Sequence, residues 1–156
     1  MRVALDTNIL AYAEGIDDDT RRDGAIALLA RIPQLTVFLP TQALGELFIV
    51  LMRKGRHSAQ QARETVLGWV DAYPLIETSQ TVLFSAMDLA AAHRFSIWDA
   101  IILAAAAHAE CRLLLSEDMQ QGFIWNGVTI ANPFSETPHP LLDAMLADAD
   151  RWNAEK

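Results

Sequence analysis

Four acidic residues lie at points in the chain where a carboxylate could take part in chemistry: Asp6, Glu46, Asp99 and Asp118. Asp6 and Asp118 each follow a short apolar run, whereas Glu46 and Asp99 lie inside apolar segments, where an ionised carboxylate needs a partner. If the four converge, burial and mutual repulsion would raise their pKa values unless a cation were present. Carboxylate oxygens suit Mg²⁺ or Mn²⁺ better than zinc. A divalent ion held in this way can activate water and stabilise a phosphodiester under attack, so this set of acids predicts a metal-dependent nuclease.

Each of these acids also has a purely structural interpretation. A carboxylate between a strand and a helix often caps the helix, which could be the role of Asp6 or Asp118. Asp99 has capping-box spacing with Ser96 and could return a hydrogen bond to the Ser96 amide. Glu46 could lie on a solvated edge of its helix. A pair with Arg53 or Lys54 is less suitable, because Arg53 lies seven positions on, too far for a one-turn contact. The sequence leaves these alternatives open.

The elements that must position the acids alternate between strand and helix. Apolar runs bounded by turn residues predict strands at residues 2–5, 35–39, 75–78, 112–115 and 127–130. Apolar spacing and capping signals predict helices at residues 20–32, 41–54, 59–73, 80–93, 97–110 and from about 137 onward. Thr7 and Asn8 indicate a loop after the first strand. This alternation predicts a single domain, residues 1–156, folded as a three-layer α/β/α sandwich around a central, mainly parallel sheet. The carboxyl ends of such strands are where ligands bind, and Asp6 and Asp118 lie there.

Composition limits the classes of function. The formal net charge of -8 argues against binding nucleic acid through a broad basic surface, although two bound divalent ions would halve that charge. A local basic strip remains, formed by four candidate RNA contacts: Arg53, Lys54, Arg56 and Arg63. The single cysteine excludes an internal disulfide and a multi-cysteine zinc site. No apolar run approaches the roughly 18 residues that a membrane span needs, and nothing resembles a signal peptide, so we expect a cytoplasmic protein.

Four segments of the sequence together resemble the PIN-domain family, and within it the VapC-type toxins of bacterial toxin–antitoxin pairs. The segments are ALDTNIL around Asp6, LGELFIVL around Glu46, FSIWDAIILAAA around Asp99 and LLLSEDMQQG around Asp118. They occur in the family's order and span essentially the whole chain. The start of the chain also resembles the Asp-x-Asp motif of haloacid dehalogenase-type phosphatases, but Asn8 replaces the second aspartate. The PIN-domain resemblance is therefore much the stronger.

The resemblance implies a ribonuclease that uses Mg²⁺ or Mn²⁺, with the four acids as metal ligands. Asn8 and Ser116 would organise the site, and a cognate antitoxin protein and a homodimer are implied as partners. The family pattern favours Asp118 over Glu117 as the fourth ligand. A PIN-like module that has lost turnover and only binds or assembles is the alternative, although all four acids are present. Trp98 could stack on a base, but an aromatic residue in the first turn of a buried helix more often belongs to the core.

Overall fold

The computed structural model describes residues 1–156 and contains one six-stranded sheet. The strands are β1 (Val3–Leu5), β2 (Val37–Pro40), β3 (Leu75–Ile76), β4 (Leu113–Leu115), β5 (Ile124–Trp125) and β6 (Val128–Ala131). Their order in the sheet is β3-β2-β1-β4-β6-β5. All neighbouring pairs are parallel except β5 with β6. The mainly parallel sheet that the alternation of elements predicted is therefore confirmed.

Seven α-helices flank this sheet and complete the three-layer α/β/α sandwich. They are α1 (Thr7–Ala13), α2 (Asp19–Arg31), α3 (Thr41–Arg53), α4 (Ala59–Ala72), α5 (Gln80–His93), α6 (Ile97–His108) and α7 (Pro140–Ala154). Several begin where the sequence provides a cap; Ser58 and Gln61 form the complete capping box expected before α4. None of the helices is long and apolar enough to cross a membrane.

Four details of the fold differ from the predictions. Residues 7–13 form helix α1 instead of a loop, because the Asp6 carboxylate caps its first turn. The last helix begins at Pro140 instead of near residue 137, with His139 as its N-cap and the proline at the first helical position. The second strand begins at Val37, since residues 34–36 form a 3₁₀ turn. The short strand β5, which pairs antiparallel with β6 across the turn at Asn126 and Gly127, was not predicted.

The topology gathers the carboxyl ends of β2, β1 and β4 at the centre of one sheet edge. The backbone amide of Asp6 donates to the carbonyl of Leu115 at 2.9 Å, so the residues that follow β1 and β4 are held side by side. Helix α3 follows β2 directly and therefore begins at the same edge of the sheet. Helix α6 runs toward the start of β4, so its first turn also lies at this edge. Residues 100–106 of α6 are all buried, which fixes the helix in the core.

Candidate active site

Asp6 is the most deeply buried acid of the candidate site, with 4% of its surface exposed. One carboxylate oxygen, Oδ1, accepts from the Thr7 backbone amide at 2.7 Å. The other, Oδ2, accepts from the Ser116 hydroxyl at 2.6 Å and from the Asn8 side-chain amide at 3.1 Å. Asp6 therefore caps α1 and takes part in the polar cluster at the same time. The structural and functional interpretations of this residue are not exclusive.

Burial raises the pKa of Asp6 from 3.8 to about 7. The hydrogen bonds from Ser116 and Thr7 oppose this rise, whereas the negative charges of Asp99 and Glu46 add to it. These charges act on Asp6 because the fold has brought three acids from distant parts of the sequence to one edge of the sheet. The buried carboxyl is consequently protonated much more readily than an exposed aspartate unless a positive charge approaches.

Asn8 joins the ends of β1 and β4. Its Nδ2 donates to Oδ2 of Asp6 and to Oδ2 of Asp118, at 3.1 Å in both cases. Its Oδ1 accepts from the backbone amide of Glu117 at 3.2 Å. Asp118 is exposed, and the next element after it is strand β5, so it does not cap a helix. The capping alternative for Asp118 is therefore wrong.

Glu46 is half-buried on α3 and turns toward α1. Its Oε2 accepts from the Thr7 hydroxyl at 2.7 Å, and its Oε1 accepts from the side chain of Gln42 at 3.1 Å. These two bonds satisfy the carboxylate without Arg53 or Lys54. The ion pair with the basic residues at the helix end is therefore absent, while Glu46 remains partly exposed at the pocket beside α1.

Asp99 lies in the first turn of α6. The Ser96 hydroxyl accepts from the Asp99 backbone amide at 3.1 Å, but the Asp99 carboxylate does not return a bond to the Ser96 amide, so only half of the predicted capping box forms. Burial raises the pKa of Asp99, and the charges of Glu46 and Asp118 raise it further, while Ser96 opposes the shift. The carboxylate of Asp99 therefore belongs to the same electrostatic cluster as the other three acids.

The four acids have the donor chemistry for a hard divalent cation, but they are not arranged around a common point. No three His, Cys, Asp or Glu side chains form a group that could hold a metal ion as they stand. The hydrogen bonds explain this: the Asn8 amide bridges Asp6 and Asp118, and Glu46 is directed to Thr7. The oxygen donors of the four acids and the raised pKa of Asp6 would both fit a divalent cation such as Mg²⁺ or Mn²⁺.

The loop after β4 separates the roles of Ser116, Glu117 and Asp118. Ser116 is fully buried; its hydroxyl donates to Asp6 and accepts from the Met119 amide at 3.2 Å. The Glu117 carboxylate points instead to Arg21, which binds it through two nitrogens. Of the two neighbouring acids, Asp118 is therefore the one hydrogen-bonded within the cluster.

A pocket of about 390 Å³ opens beside Glu46 and Asp118 and is lined by residues of α1 and α3. Lys54, at the end of α3, is the one member of the basic strip among its lining residues. Arg53, Arg56 and Arg63 are exposed and do not line it.

Trp98 is 57% exposed, so the expectation that it belongs to the core was wrong.

The comparison with known families agrees with this geometry. A sequence profile of the PIN domain matches residues 3–122, which include all four acids. The chain belongs to the PIN-domain family. No curated protein sequence matches this PIN domain closely enough to count as a relative.

Solved structures of similar fold include several toxins and toxin–antitoxin complexes. VapC20 of Mycobacterium tuberculosis, a toxin that cleaves the sarcin–ricin loop, superimposes with a TM-score of 0.61 at 20% identity, covering 72% of this chain and 86% of its own. A toxin–antitoxin complex from Klebsiella pneumoniae superimposes with a TM-score of 0.65 at 19% identity, covering 85% of this chain and 98% of its own. The VapBC2 complex of Rickettsia felis with promoter DNA gives 0.62 at 18% identity, with the same coverage. At these identities, the likeness establishes the fold that this PIN domain shares with them.

Sequence reasoning missed three polar residues that organise the site of this PIN domain: Thr7, Gln42 and Arg21. Gln42 precedes Glu46 by four positions on a predicted helix, a spacing that could have identified the pair. The bonds from Thr7 to Glu46 and from Arg21 to Glu117 span 39 and 96 residues, so no local pattern indicates them.

Proposed function

We propose that this PIN domain is a ribonuclease that hydrolyses RNA phosphodiester bonds with the help of Mg²⁺ or Mn²⁺. The observation that carries the proposal is the hydrogen-bonded bridge from Asp6 through Asn8 to Asp118. A structural role for Asp6 alone would require only the cap of α1. It would not require a buried carboxyl, with its pKa raised to about 7, to lie within the fields of Asp99 and Glu46.

In this proposal Asp6, Glu46, Asp99 and Asp118 are the metal ligands. When bound, Mg²⁺ or Mn²⁺ would supply a Lewis acid that lowers the pKa of water and neutralises charge on the phosphate. Ser116 and the Thr7 amide hold the Asp6 carboxylate in one orientation, and Gln42 steadies Glu46. Asn8 keeps the ends of β1 and β4 in register. These fixed bonds reduce the reorganisation that substrate binding would otherwise require.

Cleavage of RNA by the purified protein tests this proposal. We expect cleavage with Mn²⁺ or Mg²⁺, none with excess chelator, and none from the Asp118→Asn variant, because a neutral amide cannot replace a charged ligand. Asp71→Asn, on an exposed position of α4, is the matched control and should cleave normally. Cleavage that persists in chelator would contradict the metal dependence. A protein that binds RNA and Mn²⁺ without cleaving it would instead be the inactive binding module.

We further propose that the protein is the cytoplasmic toxin of a type II toxin–antitoxin pair. The toxin–antitoxin complexes among the proteins of similar fold support this assignment. A homodimer and a cognate antitoxin that blocks the acidic site are the partners that it implies. Expression of the wild-type chain alone should arrest growth, and expression of Asp118→Asn should not. Normal growth with abundant folded wild-type protein would count against the toxin assignment.

A further inference from the structure

Arg21 forms a two-pronged ion pair with Glu117 next to the acidic site. Its Nε donates to Oε2 at 3.0 Å and its Nη2 donates to Oε1 at 3.0 Å. The pair joins α2 to the turn after β4. Two parallel bonds fix both the distance and the plane of the carboxylate, which a single contact does not do.

The guanidinium of Arg21 also contacts an aromatic ring. Its central carbon lies 5.0 Å from the centre of the Phe134 ring, a distance suited to a cation–π contact. The edge of Tyr12 packs on the same ring, with centroids 5.5 Å apart. Gly24 lies beneath it, and a Cβ there would come within 3.2 Å of the ring. Phe134 is thus a platform packed between two helices that restricts where Arg21 can point.

The neighbour of Arg21 shows what an ordinary surface pair looks like in this protein. Arg22 contacts Asp19 and Asp23, whose side chains are 86% and 72% exposed. Pairs of that kind contribute little to stability. The side chains of Arg21 and Glu117 are only 35% and 22% exposed, and 96 residues separate them in the chain. Adjacent arginines on one helix therefore have different environments.

The turn that Arg21 anchors carries Asp118 between two fixed residues. The Glu117 amide donates to Asn8, and the Met119 amide donates to Ser116, both at 3.2 Å. Asp118 itself is exposed and accepts one side-chain hydrogen bond, from Asn8. The position of its carboxylate accordingly depends on how firmly the neighbouring residues are held.

We propose that Arg21 is a positioning residue that fixes the turn at residues 116–119 and thereby holds Asp118 beside Asn8 in the site. This inference rests on the proposed function for its link to metal binding. Arg21 acts through the Glu117 carboxylate and touches neither metal nor RNA. Removing partners that orient metal ligands commonly weakens metal affinity by about 10- to 100-fold.

Two measurements on the full-length protein test the proposal: the affinity for Mn²⁺ alone, by calorimetry, and the hydrogen exchange of the Glu117 and Met119 amides in metal-free protein, by NMR. In Arg21→Met we expect at least about tenfold weaker Mn²⁺ binding and faster exchange at both amides. Arg22→Met, the matched control, should leave both unchanged. Arg21→Lys should recover little of the Mn²⁺ affinity and little of the slow amide exchange, because an ammonium group cannot reproduce the planar two-pronged contact.

The double variant Arg21→Met with Glu117→Met separates positioning from the effect of an unpaired charge. It leaves no unpaired carboxylate, yet the anchor is still missing, so Mn²⁺ binding should remain weak. Recovery of wild-type affinity in the double variant would overturn the proposal, as would slow amide exchange in Arg21→Met. If Arg21→Met does not fold, Arg21→Lys decides by the same two measurements. If the wild-type protein binds no Mn²⁺ and cleaves no RNA, the proposed function fails, and amide exchange alone still decides whether Arg21 fixes the turn.

Discussion

The hydroxyl of Ser116 donates to Oδ2 of Asp6 at 2.6 Å, in a fully buried contact between residues 110 positions apart. The same hydroxyl accepts from the Met119 amide at 3.2 Å. One small side chain therefore steadies the buried acid and the turn that carries Asp118. It also lowers the pKa of Asp6 against the larger effect of burial.

Replacing Ser116 with alanine should affect stability and pH dependence together. The Met119 amide would lose its partner inside the protein, which costs about 1–3 kcal/mol of unfolding free energy. Loss of the bond to Asp6 should raise the pKa of that carboxyl further, so the acidic limb of the cleavage profile should move to higher pH. Chemical denaturation in chelator and a pH–rate profile with Mn²⁺ measure these effects. Ser135→Ala, in a loop outside the site, removes hydrogen bonds to Thr137 but should leave the pH–rate profile unchanged. An unaltered profile in Ser116→Ala would contradict the assigned role.

The raised pKa of Asp6 also predicts how stability depends on pH when no metal is present. The folded state holds this proton with a pKa of about 7, compared with 3.8 for an unperturbed aspartate, so between these values the folded protein binds more protons than the unfolded chain. The free energy of unfolding should therefore fall as pH rises through this window, with a total contribution on the order of a few kcal/mol. The loss of stability caused by ionising Asp6 is complete above the pKa of the folded state and absent below the pKa of the unfolded state. In Asp6→Asn the free energy of unfolding, measured by denaturation in chelator, should depend less on pH. The same pH dependence in the variant and the wild type would contradict this prediction.

Asp99→Asn should separate the function of the carboxylate from that of the helix cap. The capping bond runs from the Asp99 backbone amide to Ser96, so the substitution leaves it in place. It also removes one negative charge beside Glu46 and Asp118. We expect no RNA cleavage and a metal-free melting temperature equal to that of the wild type or higher. Ser96→Ala should instead lose about 1 kcal/mol of stability. An Asp99→Asn protein that melts lower in chelator and still cleaves RNA would contradict the proposed ligand role.

Local signals in the sequence predicted most of the elements that reach the site. Helix α5 matches its predicted bounds of residues 80–93, and the capping box at Ser58 forms with both bonds. These features depend on residues a few positions apart. Helix α1 was missed because its first turn begins with Thr7 and Asn8, which favour loops, and its cap is an aspartate also selected as a ligand. The capping interpretation of Asp6 was correct, but the loop predicted at Thr7 and Asn8 placed no helix directly after it.

The four acids were selected from the sequence because Glu46 and Asp99 lie in apolar segments and because the order of all four matches a family motif; their role as metal ligands stays a prediction. Asn8 and Ser116 followed from the same motif, but Thr7 and Arg21, which bind Glu46 and Glu117 from distant parts of the chain, could not be predicted in this way. The choice between Glu117 and Asp118 depends on Arg21, which lies 96 residues before Glu117 on another helix. Trp98 was misassigned because its apolar neighbours on α6 face the core while its own side chain lies outside. Whether a side chain on a helix points into the core or toward solvent can be seen only in the packed structure.

Lys54 is the basic residue that we expect to contact RNA beside the site. It lines the pocket next to Glu46, and its Nζ lies 3.9 Å from Asp17. Lys54→Gln should weaken RNA binding and reduce the dependence of log affinity on log salt by about 0.7, the value for one phosphate contact on a single strand. Arg112→Gln is the control, because Arg112 precedes β4 and lies at the opposite edge of the sheet. Equal salt slopes for the Lys54→Gln and Arg112→Gln variants would show that the pocket does not direct RNA binding. The other members of the strip, Arg53, Arg56 and Arg63, remain candidates that the same titration can test.

The proposed homodimer needs an apolar surface, and α5 provides one. Leu83, Phe84 and Met87 are 37%, 51% and 45% exposed, and Met87 follows Leu83 by four positions and Phe84 by three on this helix. Burying such side chains against a second copy would stabilise association by roughly 25 cal/mol for each Å² of apolar surface removed from water. Phe84→Glu should therefore halve the mass measured by light scattering while costing little stability, because the side chain is already half exposed. Leu35→Glu is the matched control: Leu35 is 88% exposed but lies in the 3₁₀ turn before β2, so this substitution should leave the dimer intact. A wild-type protein that remains monomeric at high concentration, or a Phe84→Glu variant that remains dimeric, would exclude this face of α5 as the dimer interface.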